Sequence, residues 1–142
     1  MKTLISFKLT LLVFFLLVLS AAAFAQKTAE LVARAKISIE QKQFDSALAD
    51  LTQAIKKEKA NAEAYALRGD VYMQQSQVLL ARADYDQAIN LNPKNASFYY
   101  KRAQSFEHTP GFSQEATIAD YTKVLELEPG NKEVLRARGY LY

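Results

Sequence analysis

From Leu31 onward, apolar and small residues recur at spacings of three and four. Leu31, Ala35 and Ser38 fall at i, i+4 and i+7, as do Tyr65, Gly69 and Tyr72, then Tyr99, Ala103 and Phe106, then Leu135, Gly139 and Tyr142. That spacing marks one face of a helix with 3.6 residues per turn. Two of the four middle residues are Ala and two are Gly, so a neighbouring helix can approach the backbone there while the outer residues fill the space above and below. Between these segments lie others whose stripes are Leu51, Ala54 and Ile55, then Tyr85, Ala88 and Ile89, then Tyr121, Val124 and Leu125. The pattern predicts alternating amphipathic helices, an all-α chain. Each helix pair carries more apolar surface than it can bury alone, so the pairs must stack.

The segments are copies of one another. Ala81 to Pro93 and Ile118 to Pro129 match closely, and Ala47 to Lys59 is a weaker third copy with Lys59 where the others have Pro. The step from Lys59 to Pro93 is 34 residues and from Pro93 to Pro129 it is 36, the extra two falling near Thr109-Pro110-Gly111. Pro93 and Pro129 should end the preceding helices and push Asn92 and Glu128 out of helical geometry. Asn61, Asn95 and Asn131 recur just before the next helix, where a side-chain oxygen can cap it. Asn95-Ala96-Ser97 also fits a glycosylation acceptor, but its recurrence makes capping the better reading.

Tyr65, Gly69, Tyr72, Ala81, Tyr85, Ala88 and Pro93, in a 34-residue period, resemble the tetratricopeptide repeat. The resemblance implies a right-handed superhelical solenoid of antiparallel helix pairs. Repeats are expected over about 28–61, 62–95 and 96–131, followed by a terminal half-repeat over 132–142. It further implies a concave groove receiving an extended peptide or a helix. One subgroup of that family grips a C-terminal carboxylate with Lys and Asn, but here Val32 and Lys36 stand at those positions.

The first 25 residues read differently. Lys2 and Lys8 precede an apolar run from Leu9 to Leu19, broken only by Thr10, and the segment ends in Ala23-Phe24-Ala25. This is the pattern of an export signal cut after Ala25, which would leave residues 26–142 as one domain in the periplasm or outside the cell. The alternative is an uncleaved membrane anchor over 4–25. With no Cys, neither a lipid attachment nor a disulfide framework is available. The net charge of +3 includes Lys2 and Lys8, so the remainder carries +1, which gives no support to a nucleic-acid partner.

Candidate chemistry is sparse. His108 is the only His and sits in a loop, so metal or nucleophile sites lack material, and no phosphate-binding or hydrolase motif occurs. We expect no enzyme activity and no cofactor. Arg34, Arg68, Arg102 and Arg138 recur on first helices, and Asp50, Asp84 and Asp120 on second helices. They could form an anion-binding ladder. The favoured reading is a repeated ion pair that fixes helix register, because a partly buried Arg is normally answered by a carboxylate.

Binding residues are expected one position along from the first-helix packing row, rotated about 100° toward the groove. Besides Val32 and Ile39, this selects Lys36, Ala66, Asp70, Met73, Tyr100, Gln104, Glu107, Arg136 and Tyr140 as partner-binding residues. The expected function is a non-enzymatic protein- or peptide-binding adaptor. The alternative is a structural component of a larger envelope assembly. It would dock, or self-associate, through 132–142, where Val134, Tyr140 and Leu141 crowd a stripe already using Leu135 and Tyr142. That helix is either a terminal cap or part of a longer array, and its excess of apolar residues points to a partner, a second copy or a continuation of the array.

Overall fold

The computed structural model describes residues 15, 25–107 and 113–141. The expected leader, the loop at His108 and Thr109-Pro110-Gly111, and Tyr142 therefore lie outside the described residues. Among those described are seven helices and no strand. We number them α1 (25–40), α2 (Phe44–Lys57), α3 (Ala62–Gln74), α4 (Val78–Leu91), α5 (Ala96–Glu107), α6 (Gln114–Leu127) and α7 (Lys132–Gly139). They pair as α1/α2, α3/α4 and α5/α6, with α7 packed on α6, giving an all-α helical repeat solenoid.

Local chemistry sets the breaks. Asn92 and Glu128, each before a proline, leave the helix with φ of −141° and −134°. Glu58 adopts the same geometry at φ −126° with Lys59 in the proline's place, so packing alone suffices there. Asn61 and Asn131 accept the backbone N–H of Ala64 (2.9 Å) and Val134 (3.1 Å), as expected of caps. Asn95 accepts from Ser97, and Ser113 caps α6, a role not anticipated. Within the first two hairpins, Lys42 and Ser76 have φ of 57° and 60°. The N–H groups of Gln43 and Gln77 return to the carbonyls of Ser38 and Tyr72, both at 2.8 Å, closing the helix end around a left-handed residue that glycine would occupy with less strain.

The core runs between the helices of each hairpin and on to the next. One cluster gathers Leu31, Ala35, Leu51, Ala54, Ile55, Ala64 and Val71. A second gathers Ala88, Ile89, Phe98, Tyr99, Ala103, Tyr121, Val124 and Val134. Tyr65 packs against both. The small residue at the centre of each first helix is the tightest point. A Cβ on Gly69 would lie 2.6 Å from a ring carbon of Tyr85, which is itself fully buried. Ala35 and Ala103 are fully buried at the corresponding positions.

The arginines bind the hairpins together, as the ion-pair reading expected. Arg68 donates from Nε and Nη2 to the two oxygens of Asp84, both at 2.7 Å, and Arg102 does the same to Asp120 at 2.8 and 2.6 Å. Arg34 grips Asp50 in the same two-pronged way. The remaining guanidinium nitrogen reaches back to the preceding hairpin, from Arg102 to Asp86 at 2.7 Å and from Arg68 to Thr52 at 3.4 Å. Asp84 raises the Arg68 guanidinium above its ordinary pKa chiefly through these hydrogen bonds. Paired in this way, Arg34, Arg68 and Arg102 form no free anion-binding ladder.

The terminal helix departs from expectation. The spacing of Leu135 and Gly139 predicts packing like that of Tyr99 and Ala103. Instead Leu135 is 45% exposed and nothing lies within 4 Å of a Cβ on Gly139. On α3 and α5 this face is covered by the second helix of the same hairpin, and no described residue does that for α7. Val134, on the other side, is fully buried against the preceding hairpin.

Two substitutions test this scaffold. Gly69→Ala should lower unfolding free energy by about 1–3 kcal/mol in denaturant titration, because overpacking against Tyr85 outweighs the gain in helix propensity. Asp84→Ala should cost about 3 kcal/mol by leaving Arg68 unanswered in a part-buried site, while altering partner affinity little. An Asp84 variant that kept its Tm but lost binding would instead make the pair a recognition element.

Candidate functional site

Successive first helices are joined on one face by polar contacts. Lys36 of α1 pairs with Glu63 of α3 at 2.6 Å, Lys101 of α5 with Asp70 of α3 at 2.6 Å, and Tyr100 of α5 donates to Glu133 of α7 at 2.6 Å. Each such residue lies off the packing row of its own helix, which leaves it facing solvent along the stack.

The centre of this face is built on Gly69. Because the ring of Tyr85 crosses that glycine, its hydroxyl passes between the helices and donates to Asp70 at 2.9 Å. Asp70 also accepts from Lys101 through both oxygens, at 2.7 and 2.6 Å. Around this triad is a cleft of about 420 Å³ lined by Asp70, Met73, Gln74, Tyr85, Lys101 and Gln104. From its edge Gln104 donates to the Tyr100 hydroxyl at 3.2 Å, and Tyr100 in turn reaches Glu133. Glu133 borders a second cleft of about 560 Å³ with Arg136, Ala137 and Tyr140. The Tyr100 and Tyr121 rings lie 6.0 Å apart, and Tyr121 donates to Glu107 at 2.8 Å.

Of the residues chosen from sequence, Asp70, Met73 and Gln104 share the first cleft, Arg136 and Tyr140 share the second, and Tyr100 joins the two. Glu107 meets this network through Tyr121, and Lys36 stands apart at the α1 end. Ala66 is a correction: it is 4% exposed and packs in the second core cluster, because the following hairpin covers that side of α3. Val32 is buried for the same reason in the first. Sequence reasoning missed Lys101, Gln74, Tyr85, Glu63 and Glu133. The separation of Asp70 from Lys101, 31 residues, is one repeat less about one turn, and that recurrence of opposite charge could have revealed the pair.

The electrostatics follow from these contacts. Glu133, by accepting the Tyr100 hydrogen bond, pushes that phenol up to about 12, with burial adding to it. Burial first, then Asp70, holds the Tyr85 phenol above its ordinary value, and burial with Glu107 does so for Tyr121. All three are therefore neutral, hydrogen-bonded phenols near neutral pH. The face offers a chain laid along it rings, amide groups and paired charges. Its lysines are already answered by carboxylates, whereas Glu107 and Glu133 are answered by neutral phenols.

A family model described as "TPR repeat" matches residues 35–76 and 69–108, together 35–108, just over half of the chain. No curated protein matches in sequence. Among solved structures, the Arabidopsis OM64 TPR domain is 25% identical with a TM-score of 0.76, over 83% of this chain and 96% of that one. The first TPR of Spaghetti (RPAP3), bound to the HSP90 peptide SRMEEVD, is 24% identical with a TM-score of 0.76, over 82% and 90%. The second TPR domain of human RPAP3, in complex with the HSP70 peptide SGPTIEEVD, is 22% identical with a TM-score of 0.75, over 83% and 97%. The last two support the fold alone.

The phenol network can be read directly. Since the folded pKa of Tyr100 lies above its ordinary value of 10.0, its hydrogen bond contributes fully below pH 10 and is lost as pH rises through about 12. In ultraviolet titration against Tyr100→Phe, the phenolate step should sit near pH 12, and Glu133→Gln should move it lower. An unmoved step would remove Glu133 from this account.

Proposed function

Because the chain belongs to the tetratricopeptide-repeat family, we propose that it is a non-enzymatic adaptor that binds an extended peptide along its first-helix groove, outside the cytoplasm. The observation that carries this is the continuous line of two clefts joined through Gln104, Tyr100 and Glu133, which presents rings and hydrogen-bonding groups across α3, α5 and α7. The preferred segment is neutral or basic. Spaghetti (RPAP3) and human RPAP3 were solved with peptides ending in EEVD. Here Val32 is buried, Lys36 is held by Glu63, and Lys101 is held by Asp70, so neither of these lysines is open to such an acidic tail.

Export rests on the leader-like residues 1–25. A cut after Ala25 is compatible with the fold, because Ala25, Gln26 and Lys27 are exposed and burial begins at Thr28. A second reading, a structural component docked in an envelope assembly through residues 132–142, is favoured by the uncovered Leu135 and Gly139.

A peptide-array screen with the purified protein, followed by fluorescence anisotropy, tests the groove. Peptides that bind should weaken about tenfold on Tyr100→Ala and on Asp70→Asn, the size expected of a central contact. Binding indifferent to both substitutions, or strongest for an EEVD-ended peptide, would overturn the reading. Export predicts that mass spectrometry of protein recovered from the producing cell finds a chain starting at Gln26; a chain retaining residues 1–25 inside the cytoplasm contradicts it.

A further inference from the structure

The Arg–Asp pairs within the hairpins recur at matching positions in all three. The Asp70–Lys101 pair between first helices does not. Its matching positions hold Lys36 and Leu67 between α1 and α3, and Gln104 and Ala137 between α5 and α7. Stacking of first helices therefore does not require it. It stands in the wall of the 420 Å³ cleft, between Met73 and Gln74 of α3 and Gln104 of α5.

The pair leaves one acceptor and one donor over. Oδ1 of Asp70 accepts from the Tyr85 hydroxyl and from Lys101, which uses both of its lone pairs. Oδ2 accepts from Lys101 alone, so one acceptor position remains. The Lys101 ammonium carries three N–H bonds and meets no acceptor but Asp70 among the described residues, so a donor remains beside it. Acceptor and donor atoms lie 2.6 Å apart, comparable with the O to N separation within one amide group. Tyr85, fixed across Gly69, holds Asp70 by its other oxygen and so keeps this edge in place.

We propose that this edge binds a primary carboxamide, the side chain of a Gln or Asn in the bound peptide. Its oxygen accepts from Lys101 and its NH2 group donates to Asp70. A backbone amide cannot do both, because the N–H and C=O of a trans peptide point to opposite sides. Charged side chains fit worse. A carboxylate would have to draw Lys101 away from Asp70, and a cation would have to draw Asp70 away from Lys101. Either leaves a group less than a third exposed without its counter-charge, whereas a neutral amide keeps the pair whole. Met73, in the same cleft, offers an apolar contact for the methylenes of the ligand side chain. This specificity rests on the groove reading above and names what the groove selects at its centre.

The probe is a phage-displayed library of random nonapeptides selected on the purified protein, with selected peptides synthesised and titrated by fluorescence anisotropy. They should share a Gln or Asn. Replacing it by the isosteric Glu or Asp should weaken binding about tenfold or more, as when a site built to hydrogen-bond a group meets an analogue that cannot answer it. Asp70→Asn protein should reverse the preference, since Lys101 then lacks a counter-charge and favours the acidic form of the peptide. Lys101→Met protein should instead favour a Lys at that place, so each variant serves if the other fails to fold. A pair that merely supported the fold would lower affinity for the amide and acid forms alike, which would overturn the proposal. So would peptides that weaken on Tyr100→Ala yet carry no Gln or Asn, or that bind equally in amide and acid forms, and in those cases the groove itself still stands. No selected binder, or binders indifferent to both Tyr100→Ala and Asp70→Asn, would overturn the groove reading and this proposal together.

Discussion

Where Tyr85 lies across Gly69, the two helices of a hairpin meet so closely that a Cβ at position 69 would fall 2.6 Å from the ring. Beside that approach Asp84 of α4 meets Arg68 of α3 with both oxygens engaged, as the corresponding pairs do where Ala35 and Ala103 take the glycine's place. The same approach carries the Tyr85 hydroxyl through to Asp70 on the far side. One close contact thus sets the core, the register and the floor of the groove. The buried ion pair is better understood as a device of register than as a large source of stability, because desolvating both charges offsets much of their attraction.

The division of labour among positions on a first helix follows from helical geometry. The packing row faces the second helix, the next position faces either the groove or the following hairpin, and the Arg reaches around the edge. In the middle of the stack these demands are all met by neighbours. At α7 the inward demand is met by Val134, while the outward one is open at Leu135 and Gly139. The molecule therefore presents two surfaces of different kinds. The groove is polar and pre-wired by hydrogen bonds, and the outer face of α7 is a packing surface.

Much of the fold was legible because it rests on periodicity. Ala35, Gly69 and Ala103 mark the close approaches, and Arg34, Arg68 and Arg102 find the Asp expected for each. The site was less legible, for a physical reason. A single row rotated 100° from the packing face cannot tell a groove from a contact with the next hairpin, because that depends on how the hairpins are stacked. Hence Ala66, chosen for the groove, is core, while Lys101, passed over, anchors the cleft. Tyr85 was assigned to packing alone, yet its hydroxyl also serves the site; a residue with an apolar body and a polar tip can do both. Leu135 and Gly139 carry the packing pattern without the packing, since a pattern records what a face can bind and not whether it is covered.

The Arg–Asp pairs and the close approach act together to set hairpin register. A double-mutant cycle on Arg68→Met and Asp84→Leu, by chemical denaturation, tests it most directly. Each single change should destabilise strongly while the double variant recovers much of the loss, with a coupling of about 1–3 kcal/mol. Additive losses, with coupling near zero, would contradict it.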